Sequence, residues 1–149
     1  MQRYFIQEEQ FTGDVITLSG EEAHHLLRVL RARPGEQIIV SNGHDREALA
    51  QITTIEKDRV MATVVEWLSQ DQEASVAVTI AQSLPKGDKL ETVIQKGTEL
   101  GAAAFIPFVS SRTVVQYDAR KEAKRLERWR KIAKEAAEQA HRSKVPEVE

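Results

Sequence analysis

Apolar residues in the first half of the chain recur in short runs, and in the second half they shift to helical spacing. Residues 3–6 and 15–18 read as short strands parted by a polar turn at Gly13-Asp14. Ser19 followed by Glu22 has the spacing of a capping box, and Glu21 and Glu22 suit the positive end of a helix dipole. The helix they begin runs from about Gly20 to Arg31, with Ala23, Leu26, Leu27 and Leu30 on one face, and Pro34-Gly35 terminates it. Three strands follow at residues 37–41, 48–55 and 60–67, turned by Asn42-Gly43 and Lys57-Asp58. Strands at this spacing around one short helix predict a compact β-barrel of about 70 residues.

Residues 76–81 are β-branched and apolar without alternation, which predicts a strand buried on both faces. Asp88 is placed to cap a helix whose apolar positions are Leu90, Val93, Ile94 and Leu100, and Gly101 stops it. Residues 103–109 form a second buried strand, interrupted only by Pro107. From Asp118 to about Arg142 runs a long helix with Ala123, Leu126, Trp129, Ala133, Ala136, Ala137 and Ala140 along one stripe. Trp67 and Trp129 both read as packing residues. Strand, helix, strand, helix begins a parallel α/β sheet, so the chain as a whole is α+β. Residues 144–149 approach a third strand. Two parallel strands and two helices leave sheet faces uncovered, and the pattern therefore predicts a part of a longer protein.

Composition narrows the class. Among 149 residues there is no cysteine, which excludes a disulfide scaffold and a thiolate metal site and fits a reducing cytosol. No apolar run is long enough to span a bilayer, and MQRYFIQEEQ lacks the basic-then-apolar order of a signal peptide. The expectation is a soluble cytoplasmic protein without a membrane partner. His24 and His25 point about 100° apart on a helix, and no His-x-x-x-His or carboxylate cluster has metal spacing, so no metal is expected. The net charge of −2 conceals an asymmetry. Residues 1–74 carry 7 Lys/Arg against 13 Asp/Glu, while residues 75–149 carry 14 against 10. The change falls at the polar, aperiodic residues 69–74, which read as a linker between domains 1–70 and 75–149.

Ordered blocks of sequence carry a resemblance. They begin with His24-His25-Leu26-Leu27-Arg28-Val29-Leu30-Arg31, then Pro34-Gly35 and a strand. Lys86-Gly87-Asp88-Lys89-Leu90-Glu91 and Ile94-Gln95-Lys96-Gly97-Thr98-Glu99-Leu100-Gly101 follow. Pro107, Ser111-Arg112, Trp129-Arg130-Lys131-Ile132-Ala133, Glu135-Ala136, Glu138-Gln139 and residues 142–146 complete the series. Together they resemble the N-terminal part of the 16S ribosomal RNA uracil-N3 methyltransferase family, the RsmE type. The resemblance implies a PUA-like RNA-binding β-barrel followed by the first half of an α/β SPOUT methyltransferase domain. The trefoil knot of that domain, an exception to unknotted topology, lies outside this chain. It also implies S-adenosylmethionine as cofactor, with its glycine-rich loops beyond residue 149. The implied partner is 16S ribosomal RNA in the small ribosomal subunit, and a homodimer is implied for the full-length protein. An alternative is a non-catalytic RNA-binding or ribosome-associated module of the same architecture. A Gly-Pro-Glu-Gly-Gly-like loop in the continuation would favour the enzyme.

Methylation at N3 of uracil requires loss of the N3 proton, and a nearby cation would stabilise the charge developing on the base. The target base must be unpaired or flipped out, and Lys and Arg contacts to phosphates would supply RNA affinity. Arg112 follows a strand, where open α/β sheets place ligands, and is a catalytic candidate or a surface arginine bonding loop carbonyls. Lys96 and Glu99, three apart on a helix, form either a structural ion pair or part of the active site. Lys86 and Lys89 follow the preceding strand and suit phosphate, though lysine is also an ordinary loop residue. Arg3, His24, Arg28 and Arg31 are RNA-contact candidates in the acidic half, where a localised patch is expected rather than general polyanion binding. Arg142 joins them near the end of the long helix, with Glu138 and Gln139, where a solvated helix end is the plainer reading. Residues 120–134 hold eight basic and two acidic residues, either an RNA-facing stripe or a solvated helix face.

Overall fold

A computed structural model describes residues 1–70, 73–113 and 118–149. The chain divides into two units, Met1–Asp71 and Gln72–Glu149, and residues 71 and 72 of the predicted linker lie outside the described residues.

In the first unit alternating apolar side chains build a curled six-stranded sheet around one core. The strands are β1 (Arg3–Phe5), β2 (Phe11–Thr12), β3 (Val15–Leu18), β4 (Gln37–Ser41), β5 (Glu47–Ile55) and β6 (Val60–Trp67). Their order is β1-β4-β5-β6-β3-β2, antiparallel throughout except for the parallel pair β1 and β4. Ile16, Leu18, Val40, Ala48, Ala50, Val60 and Ala62 are fully enclosed, and their period of two within each strand puts them on one face. A 3₁₀ turn at Glu8–Gln10 and the two-residue β2 are too short to carry any period, and the sequence pattern misses both.

The predicted helix is real but divided. It comprises α1 (Gly20–His24) and a π turn over His25–Val29, and it ends at Arg31, whose φ of 52° is left-handed. The expected capping box is not formed: Ser19 makes no side-chain cap bond, because Gly20 at φ 62° carries the chain into the helix. At the other end Ala32 N–H donates to Leu26 O at 2.9 Å, spanning one residue more than a Schellman closure, as the widened π turn requires. The predicted two-residue turn at Asn42-Gly43 is a longer loop. Asn42 Oδ1 accepts from the N–H groups of His44, Asp45 and Arg46 at 2.9, 3.1 and 3.0 Å.

The second unit contains β7 (Thr79–Ser83), α2 (Lys89–Glu99), β8 (Ala104–Phe108), α3 (Ala119–Gln139) and β9 (Glu147–Val148). The three strands are parallel in the order β7-β8-β9. Leu90 and Ile94 of α2, Trp129 and Ala133 of α3, and Phe105 and Val148 of the sheet make one core. Only this face of the sheet is covered among the described residues. Ile106 and Phe108, on the other face, stay 39% and 45% exposed, and Val76 and Val78 precede β7 in solvent, so the expected strand buried on both faces is corrected. Pro107 sits on β8 with its nitrogen on the side of β9, where it has no hydrogen to donate to the ladder.

Helix ends also differ from expectation. Asp88 makes no side-chain cap bond; its φ and ψ of −102° and 15° are not the extended values of a capping residue. Asp118 does cap α3, accepting from Arg120 N–H at 2.8 Å. Leu100 lies past α2 and is 88% exposed, and Ala123 and Ala140 are exposed as well. Gly101 (φ 101°) closes α2 by Ala102 N–H to Gly97 O at 2.9 Å. His141 (φ 56°) closes α3 in the same way, by Arg142 N–H to Ala137 O at 2.9 Å.

Gly97 is required by space rather than by conformation. A Cβ there would lie 2.7 and 2.8 Å from the ring atoms of Phe105, which is buried in the core. Gly97→Ala is expected to cost about 1–3 kcal/mol by overpacking. A urea midpoint unchanged from the parent would show that the Phe105 ring yields without cost.

Candidate nucleic-acid interface

Parallel strands place their following loops at one edge, and ligands of open α/β sheets lie beyond that carboxyl edge. Here β7 runs into Leu84-Pro85-Lys86-Gly87-Asp88, and β8 into residues 109–113. The two loops are tied together. Leu84 N–H donates to Phe108 O at 2.9 Å, and Ser83 Oγ donates to Ser110 Oγ at 3.0 Å. Ser110 N–H donates to Thr113 Oγ1 at 2.8 Å, and Thr113 N–H returns to Ser110 O at 3.0 Å. Arg112 therefore stands on a turn held from both ends, with its side chain exposed. Lys86, on the neighbouring loop, and Lys89, the first residue of α2, are also exposed. Three cations thus come to one edge.

Beside that edge, Leu84, Pro85, Gly87, Leu90, Arg125 and Trp129 contribute to a cleft of about 90 Å³. Arg128, at its rim, donates through Nε and Nη2 to the Glu91 carboxylate. That bond and the Glu91 charge hold the guanidinium above its ordinary value, fixing it in the charged form. A second groove of about 320 Å³ between α2 and α3 is lined mainly by polar groups, including Glu91, Thr92, Gln95, Arg128, Glu135 and Gln139. Small-molecule sites span about 300–1,000 Å³ and are mostly apolar; the first cleft is too small and the second too polar. Neither cleft offers an apolar slot for an adenosyl group, so the residues lining these two do not fit S-adenosylmethionine.

Several sequence candidates lie elsewhere. Lys96 and Glu99 form an exposed ion pair at 3.2 Å in the last turn of α2. That turn leads into the start of β8, whereas Arg112 follows its end, so the fold does not bring the three together. Arg142 is corrected as an RNA contact because it is buried, 7% exposed. Its Nη1 donates to Ala102 O at 2.7 Å and Thr98 O at 3.3 Å, and its Nη2 donates to Glu73 at 2.6 Å. Glu73 also accepts from Ser143 N–H and Lys144 N–H at 3.0 and 3.1 Å. Burial pushes the Glu73 carboxyl up, but the Arg142 bond and charge and these two N–H groups together hold it below the usual carboxylate value. Arg142 thus fastens the end of α3 to the end of α2.

In the first unit Arg3 is corrected in the same way. It is 4% exposed and bonds both oxygens of Glu47 at 2.8 Å, and no phosphate can reach it. His24, Arg28 and Arg31 are exposed along α1 and the π turn. His25, by contrast, is anchored inward, its Nδ1 2.7 Å from Tyr4 Oη.

Sequence reasoning missed a second cluster. Trp67, expected to pack, is 43% exposed at the end of β6. Its ring stacks on Phe11 at 6.3 Å, and the Arg46 guanidinium lies 4.9 Å from the Trp67 centroid and 5.1 Å from that of Phe11. Arg46 is itself tethered to Glu8 at 2.7 Å. The position of Trp67 at a strand's last residue, beside Glu66, was the available signal.

A curled β unit followed by a parallel α/β unit, with Lys86, Lys89 and Arg112 exposed at its carboxyl edge, defines an α+β protein. Residues 72–149 match the model of the RNA methyltransferase domain, and residues 18–65 match that of the RNA methyltransferase PUA domain. The chain belongs to the RNA methyltransferase family. It is 48% identical over 151 residues to ribosomal RNA small subunit methyltransferase E of Bacillus subtilis (strain 168), covering 99% of this chain and 59% of that protein. It is also similar to the crystal structure of a ribosomal RNA small subunit methyltransferase E from Neisseria gonorrhoeae bound to S-adenosyl methionine. That match has a TM-score of 0.89 and 35% identity, covering 100% of this chain and 60% of that one. A putative methyltransferase from Legionella pneumophila in complex with the bound cofactor SAM gives 0.89 and 33%, covering 99% of this chain and 61% of that one. The chain spans about three fifths of the length of these relatives.

Proposed function

We propose that the whole protein is an S-adenosylmethionine-dependent methyltransferase that modifies N3 of a uridine in 16S ribosomal RNA of the small subunit. The observation that carries this reading is the 48% identity, along nearly the whole chain, to a small-subunit ribosomal RNA methyltransferase. The clustering of Lys86, Lys89 and Arg112 at one carboxyl edge supports it independently. Residues 1–70 then act as a PUA-like RNA-binding module, with His24, Arg28 and Arg31 as its exposed cationic contacts. Residues 75–149 supply the first part of a SPOUT domain, and the whole protein works as a cytoplasmic homodimer in ribosome biogenesis.

In this reading Lys86 and Lys89 hold phosphates, an attraction that weakens as salt rises. Arg112 faces the target base. As N3 loses its proton, negative charge spreads to the two carbonyl oxygens of uracil, and a fixed guanidinium stabilises it. Nucleoside mass spectrometry of ribosomal RNA from a deletion strain tests the proposal. Loss of 3-methyluridine from 16S RNA is the expected result, and an unchanged level overturns it.

A further inference from the structure

We propose that Trp67 and Arg46 form a stacking platform that receives an unpaired nucleobase of the RNA. The inference rests on the RNA-directed reading above and adds to it a contact surface on the first unit. Trp67 leaves 43% of its surface in solvent although tryptophan is among the side chains with most to gain from burial. It is not loose: it stacks at 29° to Phe11, which is itself buried. Arg46 lies over both rings and is fixed at both ends. Its Nη1 donates to Glu8 at 2.7 Å, and its N–H donates to Asn42 Oδ1 at 3.0 Å. The result is a preorganised stack of guanidinium on indole, with much of the indole still open to solvent.

The chemistry selects a base rather than a phosphate. Residues 1–70 carry 7 Lys/Arg against 11 Asp/Glu, so away from the His24, Arg28 and Arg31 patch this unit has little attraction for phosphate. Glu8 beside the guanidinium offsets its charge; the Asn42 bond first, and then Arg46, keep that carboxylate below its ordinary value. What the cluster retains is planarity. Every nucleobase has a π face, and stacking on aromatic and guanidinium planes needs neither net charge nor a particular base. A paired base keeps its faces inside the helix, so the occupant is single-stranded.

The test uses the full protein, a fluorescein-labelled oligouridine, and a duplex of equal length. Trp67→Ala is expected to weaken single-strand binding by between about fivefold and a hundredfold, with the salt dependence unchanged. Trp67→Phe, which keeps an aromatic face, is expected to retain most of the affinity. Single-strand binding should quench the tryptophan fluorescence of the parent. In Trp67→Phe the quench should shrink by the share that the half-exposed Trp67 contributes, Trp129 being 7% exposed. The fluorescence arm decides the matter even if the alanine variant fails to fold. A quench as large in Trp67→Phe as in the parent overturns the platform. So does unchanged binding by a folded Trp67→Ala, which would leave the indole to a protein partner. If Arg28→Ala/Arg31→Ala loses binding in that case, the RNA reading stands without the platform. If the parent protein binds no RNA, both fall.

Discussion

Replacing Glu47 with alanine is expected to cost the first unit about 3–5 kcal/mol, because it strands a buried guanidinium without its carboxylate. Arg3 and Glu47 are 3% and 4% exposed, and both guanidinium nitrogens that face the carboxylate bond it at 2.8 Å. The pair joins β1, a three-residue strand at the edge of the sheet, to β5 across β4. So short a strand is held by few ladder bonds, and the ion pair fixes its register. Urea denaturation of the single variant against Arg3→Met/Glu47→Leu separates the pair from the stranded charge. The double variant should recover much of the loss, since apolar groups of similar volume often replace a buried pair at little cost. A loss below about 1 kcal/mol for Glu47→Ala, the range of surface pairs, would show that water reaches Arg3.

The second large effect falls on activity. Arg112→Ala is expected to lower kcat/KM of the whole protein for methyl transfer by about 10²–10³, the usual consequence of removing one group that stabilises a developing oxyanion. Stability should hardly change. The side chain is exposed, and the turn beneath it is fixed by Ser110 and Thr113 rather than by the arginine. Arg112→Lys, which keeps the charge without the planar fork, should fall between the two. Single-turnover rates and thermal unfolding of the same purified samples check this. Parent-like turnover in Arg112→Ala would reduce Arg112 to a surface residue.

Periodicity made the regular strands legible. The bounds of β3, β4 and β6 match the pattern because two-residue alternation and flanking turn residues are local properties of the chain. The π turn was not legible, since Leu26, Leu27 and Leu30 satisfy a helical face whether or not one residue is inserted. Candidate cations were the least legible class. Arg3 finds its carboxylate 44 residues away and Arg142 finds Glu73 69 residues away, distances at which no local pattern operates. The run of Tyr4, Phe5 and Ile6 beside Arg3, all buried, was a hint that a charge in that strand would need a partner. A loop after a parallel strand must emerge at the carboxyl edge, and Lys86, Lys89 and Arg112 had only to follow their strands.

The Asn42 loop bears on the chemical ageing of the protein. Asn-Gly is the sequence most prone to deamidation, because the glycine nitrogen readily attacks the asparagine carboxamide. In this fold the carboxamide is held at both atoms: its oxygen accepts three N–H groups, and its nitrogen donates to Glu8 and Asp45 at 2.8 Å each. The attacking nitrogen is occupied as well, since Gly43 N–H donates to Ser41 Oγ at 3.0 Å. Hydrolysis would turn the donor that faces two carboxylates into a third carboxylate. The hairpin is therefore guarded by geometry against the attack, and a product formed there would crowd a third carboxylate against Glu8 and Asp45.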